Sequence, residues 1–205
     1  MTPAIVLAAG ASTRMGRPKA LLPAGDRTFI RTILDTLRDA GLPEAVVVVR
    51  SGQDAVVAEV AASGFGRTVS NPRADEGQLS SLIAGLDAID RDGVDAALVT
   101  LVDVPLVAVS AVRLVLARAA VSDASILRAV HRGRHGHPVL FKRRLFEALR
   151  SADPAVGAKA VVRAAAVEDV EVDDPGVVED VDTPEDYARL FGPAPAVDNL
   201  RPPNP

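Results

Sequence analysis

The sequence predicts an α/β fold: a mainly parallel sheet with helices on both faces, a three-layer sandwich, plus a small antiparallel element. Three observations lead there. Short apolar runs alternate with amphipathic stretches over most of the 205 residues, which is how strand–helix units read. Residues 45–49 are one alanine and four valines, a strand with no polar face, as in a parallel sheet covered on both sides. Hydrophobic residues make up 48% of the chain but aromatics only 3%, so a full core must be built from Ala, Val, Leu and Ile.

The elements follow in order. Residues 4–8 form the first strand. Residues 26–40 read as a helix, with Phe29, Ile30, Ile33, Leu34 and Leu37 on one stripe and Gly41 as its stop. After the valine strand, Asp54 is placed to cap a helix through residue 62. Residues 67–70 form a short strand and 79–90 a strongly periodic helix. Residues 95–102 form a third apolar strand ending at Asp103-Val104-Pro105. A helix over 110–120 precedes two strands, 125–130 and 138–141, around the Arg132-Gly133-Arg134 turn, the expected antiparallel element. Helices are expected over 142–150 and 155–165, and a last strand over 167–172. Thr183-Pro184-Glu185 opens a final helix, with a Thr cap and Pro at the first helical position.

Residues 1–192 are read as one domain. Five of the thirteen residues in 193–205 are proline and the apolar period vanishes, so that segment is expected to be a disordered tail. Net charge is −4 and the pI about 5.4, which argues against nucleic acid as a bulk partner. There are no cysteines, which excludes disulfides and thiolate metal sites. The longest apolar stretch, 94–120, is broken by Asp95, Asp103 and Arg113, so no membrane span is expected. The apolar N-terminus has no basic residue before Arg14 and is too short for a secretion signal. The expectation is a cytoplasmic protein.

The first strand runs into a loop of tiny residues, Ala8-Ala9-Gly10-Ala11-Ser12, followed by Arg14 and Lys19. Tiny residues let a backbone approach a ligand and turn its N–H groups towards an anion. Two cations just beyond suit a polyphosphate. The spacing matches neither a P-loop nor a dinucleotide fingerprint, because Lys19 follows Pro18 and position 12 is not glycine. Read alone, the corner also fits an ordinary strand–loop–helix junction with surface cations.

Ligands in open α/β sheets bind at the carboxyl ends of strands. That rule brings two further segments beside the loop. One runs from Asn71 to Gly77-Gln78-Leu79-Ser80-Ser81, where a helix N-terminus with Gln78, Ser80 and Ser81 attracts anions; read alone, it is also a plain capped helix. The other is Asp103, a carboxylate at the end of a buried strand, costly there unless paired or metal-bound. Mg²⁺ takes one or two carboxylates with substrate phosphates and water, so Asp103 is the leading ligand candidate. The acidic run 179–186 offers a partner carboxylate, and it also complements a helix dipole. All three histidines lie in 131–137. Zinc there would need a carboxylate and a closed geometry, and clustered histidines also arise as plain hairpin surface.

Taken whole, the string L-A-A-G-x-S-x-R-M-G-x-x-K at residues 7–19 closely resembles the signature of the MobA-like nucleotidyltransferases. The Ala8-Ala9-Gly10 form is similar to the molybdopterin cytidylyltransferase branch. Gly77-Gln78-x-x-Ser81, Asp103-Val104-Pro105, Gly136-His137-Pro138-Val139-Leu140-Phe141 and Asp180-Val181-Asp182-Thr183-Pro184-Glu185-Asp186 resemble the same family. One segment departs from it: Asp153-Pro-Ala-Val-Gly157-Ala158-Lys159 lacks the leading Gly-Asp of a G-D-x-G-A-R pattern and has Lys for Arg.

The resemblance implies a Rossmann-like, nucleotide-diphospho-sugar transferase-like fold. It implies Mg²⁺-dependent transfer of CMP from CTP to the phosphate of molybdopterin, releasing pyrophosphate. Leu7, Ala8, Ala9, Gly10, Ser12, Arg14, Lys19, Asn71, Gly77, Gln78, Ser80 and Ser81 would bind the nucleotide. Asp103 and Asp182 would hold the metal, and Arg14, Lys19 and Asp103 would carry catalysis. His137 and Pro138 would lie on the acceptor side, where nearby basic residues would meet the acceptor phosphate. That phosphate is already anionic, with a second pKa near ~6, so no general base is required. The readings kept beside this one are a GTP-using enzyme, a sugar- or polyol-phosphate transferase, and a non-catalytic carrier that contacts a molybdoenzyme.

Overall fold

The computed structural model describes residues 1–12 and 15–192. Arg14 and the expected tail at 193–205 lie outside them. One sheet of seven strands organises the chain, in the order β5-β4-β1-β6-β8-β7-β9. Its strands are β1 (Ala4–Leu7), β4 (Ala45–Arg50), β5 (Gly66–Asn71), β6 (Ala96–Leu101), β7 (Ile126–His131), β8 (Arg134–Lys142) and β9 (Val167–Glu171). β1 lies between β4 and β6, parallel to both, with Leu7 level with Val48 and Leu101. β8 runs antiparallel to β6 and β7, and β9 rejoins in parallel.

Alternation along β1 shows why both faces are covered. Ala4, Val6 and Ala8 enter one core; Ile5, Leu7 and Ala9 enter the other. Helices α1 (Phe29–Asp39), α2 (Asp54–Ala62) and α4 (Val109–Val121) pack on the first face. Helices α3 (Gln78–Ile89), α5 (Phe146–Arg150) and α6 (Lys159–Ala164) pack on the second. The last helix, α7 (Pro184–Phe191), joins neither core. Tyr187 on α7 forms a third cluster with Leu22, Phe29 and Val181.

Several expectations are corrected at the level of boundaries. The helix expected from residue 26 begins at Phe29, because residues 23–28 form a hairpin of β2 (Pro23–Ala24) and β3 (Arg27–Thr28). Thr28 then caps α1, its hydroxyl accepting the Arg31 N–H at 3.2 Å. Asp54 is the first residue of α2 rather than its cap; Gln53 holds that position without a side-chain bond to the helix. The helix over 142–150 is a 3₁₀ turn, Arg143–Leu145, followed by the short α5. The 138–141 strand extends back to Arg134. Among the described residues, no helix is long and apolar enough to cross a membrane.

A strap of 3₁₀ helix, Pro175–Val178, carries the chain from β9 back towards the centre of the sheet. Asp174 anchors it, accepting the Ala108 N–H at 2.7 Å and the Gly176 N–H at 2.9 Å. Gly176 lies so close to the 103–108 loop that a Cβ would stand 2.2 Å from the Leu106 carbonyl oxygen. Gly176→Ala should therefore overpack this contact and destabilise the chain by about 1–3 kcal/mol. A urea midpoint equal to that of the unsubstituted protein would contradict this packing.

Candidate active site

The carboxyl ends of β4, β1 and β6 stand side by side, so the segments that follow them share one edge of the sheet. A cleft of about 450 Å³ opens there. Leu7, Ala9, Gly10, Ala11 and Ser12 supply one wall; Gly77, Gln78 and Ser81 supply another; Lys19, Asp103 and Asp182 close one end. Ala8 does not line the cleft, because it points into the opposite core.

The loop after β1 is held open by its own geometry. Ser12 takes a left-handed φ of +50°, uncommon for a residue with a side chain. Its hydroxyl accepts the Lys19 N–H at 3.1 Å. That bond fixes where the lysine side chain starts.

The second wall is built by a buried amide. Asn71, only 2% exposed, donates from Nδ2 to Ser80 Oγ at 2.9 Å and Ser81 Oγ at 3.0 Å, and its Oδ1 accepts the Arg73 N–H. The Ser80 hydroxyl donates to the Arg73 and Gly77 carbonyls, both at 2.8 Å. Neither Asn71 nor Ser80 reaches the cleft; they fold the 71–77 loop against α3 so that Gly77, Gln78 and Ser81 do. Gly77, at φ +100°, turns the chain into α3 with no side chain capping that end. The N–H groups of its first turn receive no side-chain cap at Gly77.

The third part is an acid–base cluster drawn from three distant segments. Lys19 Nζ donates to Asp182 Oδ1 at 2.5 Å and to Asp103 Oδ2 at 3.1 Å. Burial pushes the lysine pKa down, but the hydrogen bonds and charges of Asp182 and Asp103 outweigh it and leave the ammonium above its ordinary value.

Asp182 reaches this point through its neighbours. The Val181 N–H donates to the Asp103 carbonyl at 2.8 Å. The Val181 side chain is fully buried with Leu22, Phe29 and Tyr187, and burial of such a side chain contributes ~1.5–3 kcal/mol. A capping box between Thr183 and Asp186 starts α7 directly behind it. Asp186 is thus a helix cap, and Asp182 faces the cleft.

The donor set, two carboxylates, is the kind a hard divalent cation takes. Asp103 Oδ1 is buried and accepts no hydrogen bond among the described residues. Two carboxylates, one with an unsatisfied oxygen, match a cation that completes its shell with phosphates and water. Among the described residues no group of three or more His, Cys, Asp and Glu could hold a metal ion. The histidines disperse: His131 Nδ1 pairs with the Val172 carbonyl at 2.9 Å and His135 lies 3.3 Å from Asp169.

A second hollow of about 290 Å³ adjoins the first and shares Leu7, Gly77, Gln78 and Leu101 with it. His137, Val139, Phe141, Gly157, Ala158 and Lys159 line its far side. Pro138 is corrected: the next residue along β8 points to the other face and is buried near Ile33, Leu37 and Val104. Arg132 and Arg134 line neither hollow. Arg50 was not singled out from sequence, yet it lines the first cleft and pairs with Asp75 at 2.8 Å. The available signal was its place at the carboxyl end of the valine strand.

Known proteins resemble this chain along most of its length. The model of the MobA-like NTP transferase domain matches residues 4–170. Nicotine blue oxidoreductase of Paenarthrobacter nicotinovorans is 34% identical over 196 residues, 91% of this chain and 95% of that protein. The crystal structure of Rv0371c from Mycobacterium tuberculosis is 30% identical with a TM-score of 0.80, covering 93% of this chain and 98% of that one. A complex of Rv0371c with manganese aligns at 29% identity and TM-score 0.73, covering 93% and 97%. Molybdopterin-guanine dinucleotide biosynthesis protein A from Archaeoglobus fulgidus, 18% identical, shares the fold at a TM-score of 0.68 over 93% of this chain and 97% of that one.

His137 supplies a test of the second hollow's enclosure. Burial pushes its pKa below the ordinary 6.5, against the pull of Asp103 and Asp180. The unfolded chain therefore takes up a proton before the folded one does, and stability should fall as pH drops through the ordinary histidine value. Urea midpoints between about pH 8 and pH 5 should show this decline, and His137→Gln should flatten part of it. Parallel profiles for the two proteins would mean that His137 stands open to water.

Proposed function

We propose an activity for a chain that belongs to the MobA-like NTP transferase family: Mg²⁺-dependent transfer of CMP from CTP to the phosphate of molybdopterin, with release of pyrophosphate. The observation that carries it is the meeting of a small-residue loop, a lysine and two aspartates at one end of the cleft.

In this reaction an oxygen of the acceptor phosphate attacks the α-phosphorus. The bond from that phosphorus to the bridging oxygen breaks, and pyrophosphate leaves with the electron pair. The acceptor oxygen is already anionic, so no residue need take a proton. What the protein must supply is alignment and charge neutralisation.

The backbone N–H groups of residues 9–12 would face the triphosphate. Lys19, together with Arg14, would neutralise the leaving pyrophosphate. The uncapped start of α3, with Gln78 and Ser81, would hold the nucleotide from the other side. Asp103 and Asp182 would hold the metal, which when bound neutralises phosphate charge and aligns the reacting groups. His137 and Lys159 would face the acceptor in the adjoining hollow.

The choice of CTP over GTP rests on Ala9. Ala9 borders the cleft while packing in the second core, whereas Ala8 packs in the first, so the position that separates the two family branches would lie beside the ligand. A change of this size is worth only ~1–3 kcal/mol in a pocket. Ala9→Gly should therefore narrow the CTP:GTP ratio of kcat/KM rather than invert it.

A second reading, oxidoreductase chemistry, is favoured by the 34% identity to nicotine blue oxidoreductase. The two readings separate in one experiment. The protein is incubated with Mg²⁺, CTP or GTP, and molybdopterin; pyrophosphate is measured, and the dinucleotide is weighed by mass spectrometry. Asp103→Asn should abolish pyrophosphate release while leaving the fold intact, because the bond that docks Val181 uses the Asp103 backbone and not its side chain. Near-normal turnover in that variant would remove Asp103 from the reaction. In a parallel incubation with nicotine blue and a hydride donor, reduction of the dye with oxidation of the donor, and no pyrophosphate from either nucleotide, would establish the second reading instead.

A further inference from the structure

We infer that Lys19 is an internal counter-ion that competes with a divalent cation for Asp103 and Asp182, so that metal and polyphosphate bind this protein with positive coupling. The inference rests on the nucleotidyl-transfer reading only in taking the polyphosphate to be a nucleoside triphosphate.

The competition is a matter of shared carboxylates. One ammonium bridges Asp182 Oδ1 at 2.5 Å and Asp103 Oδ2 at 3.1 Å, and the lysine side chain is only 12% exposed. A divalent cation on the same pair, even one that takes the unsatisfied Asp103 Oδ1, would face that ammonium across the same two carboxylates. Two cations on one pair of carboxylates repel each other, and the ammonium offsets the negative charge that would attract the metal. The ammonium therefore opposes the metal for as long as it stays on the pair.

Its range of movement is set by the backbone. The Lys19 N–H is tied to Ser12 Oγ at 3.1 Å, and the residue opens the 3₁₀ turn Lys19–Leu21. Only the four-carbon side chain can swing. The nearest place for an anion to meet it is the same cleft, walled by Gly10, Ala11 and Ser12. A polyphosphate held there draws the ammonium away from both carboxylates. A metal on the carboxylates drives the ammonium towards the phosphates. Because binding free energies are reciprocal, each ligand tightens the other by the same factor.

The competition can be read without turnover, by titrating the protein alone with Mn²⁺ and following the free ion by electron paramagnetic resonance. Lys19→Met should bind Mn²⁺ at least about tenfold more tightly than the unsubstituted protein, within the ~5–150-fold usual for couplings. Lys19→Arg keeps a cation and should stay close to the unsubstituted affinity. Arg50→Met removes a cleft cation that does not touch the carboxylates, and it should tighten Mn²⁺ binding much less. Equal affinities for Lys19→Met and the unsubstituted protein would overturn the inference. So would an Arg50→Met effect as large as that of Lys19→Met, since the gain would then be general electrostatics.

The unsubstituted protein offers a second test. It has only three lysines, Lys19, Lys142 and Lys159. Lys142 serves as internal reference, because its Nζ is held by the Ala119 carbonyl. Mn²⁺ should raise acylation of Lys19 relative to Lys142 in peptide mass spectra, and an unchanged or lower ratio would overturn the displacement. If pyrophosphate assays fail with every nucleotide while Mn²⁺ still displaces Lys19, the nucleotidyl-transfer reading falls and the competition stands.

Discussion

The hydrogen bond from the Val181 amide to the Asp103 carbonyl is the constraint on which the site depends. It joins the end of β6 to the start of α7, segments that neither sheet pairing nor chain proximity brings together. One residue beyond it on the C-terminal side, Asp182 faces the cleft; on the other strand of the junction, Asp103 does. Both carboxylates are thus delivered by backbone docking, and their mutual repulsion is met by the Lys19 ammonium. The third core cluster makes the docking durable, burying Val181 against Leu22 and Phe29 close to the turn that carries the lysine.

Much of the fold was legible in the sequence, and for definable reasons. The valines of β4 and the stripe on α1 are strong periodic signals, and both elements lie where periodicity puts them. The end of α2 at Ala62 lies where the pattern puts it, and its start differs by one residue. The antiparallel pairing of β7 and β8 followed from the Arg132-Gly133 turn. What escaped was structure made by tertiary contact. The β2–β3 hairpin has strands of two residues, too short for any period to register. The Pro175–Val178 strap is defined by the close approach of Gly176 to Leu106, and no local pattern encodes that.

The site was legible in its parts more than in its division of labour. Short motifs name residue types, but alternation decides which side chains face a ligand. Ala8 and Ala9 are identical in sequence terms, and alternation sends them into opposite cores, of which only the one holding Ala9 borders the cleft. The same alternation separates His137 from Pro138. Asn71 and Ser80 have the chemistry of ligand-binding residues, yet they use their hydrogen bonds on each other and on the 73–77 backbone. Arg50 was missed because a single cation after an apolar run carries no motif.

The chain contains six aromatic residues, five Phe and one Tyr. Phe29, Tyr187 and Phe191 pack against one another, with ring centroids 5.1 to 6.1 Å apart, Tyr187 stacked on both and the two Phe rings tilted. Half the scarce large side chains therefore clamp α7 to the entrance of α1, outside both main cores. This has a consequence for biosynthesis. Every strand of the sheet has been translated once Glu171 has emerged, but the second carboxylate is not secured until the last aromatic has followed. A ribosome-bound chain can thus be nearly complete in architecture while Asp182 has yet to meet Asp103, and the pair is assembled in a single late step.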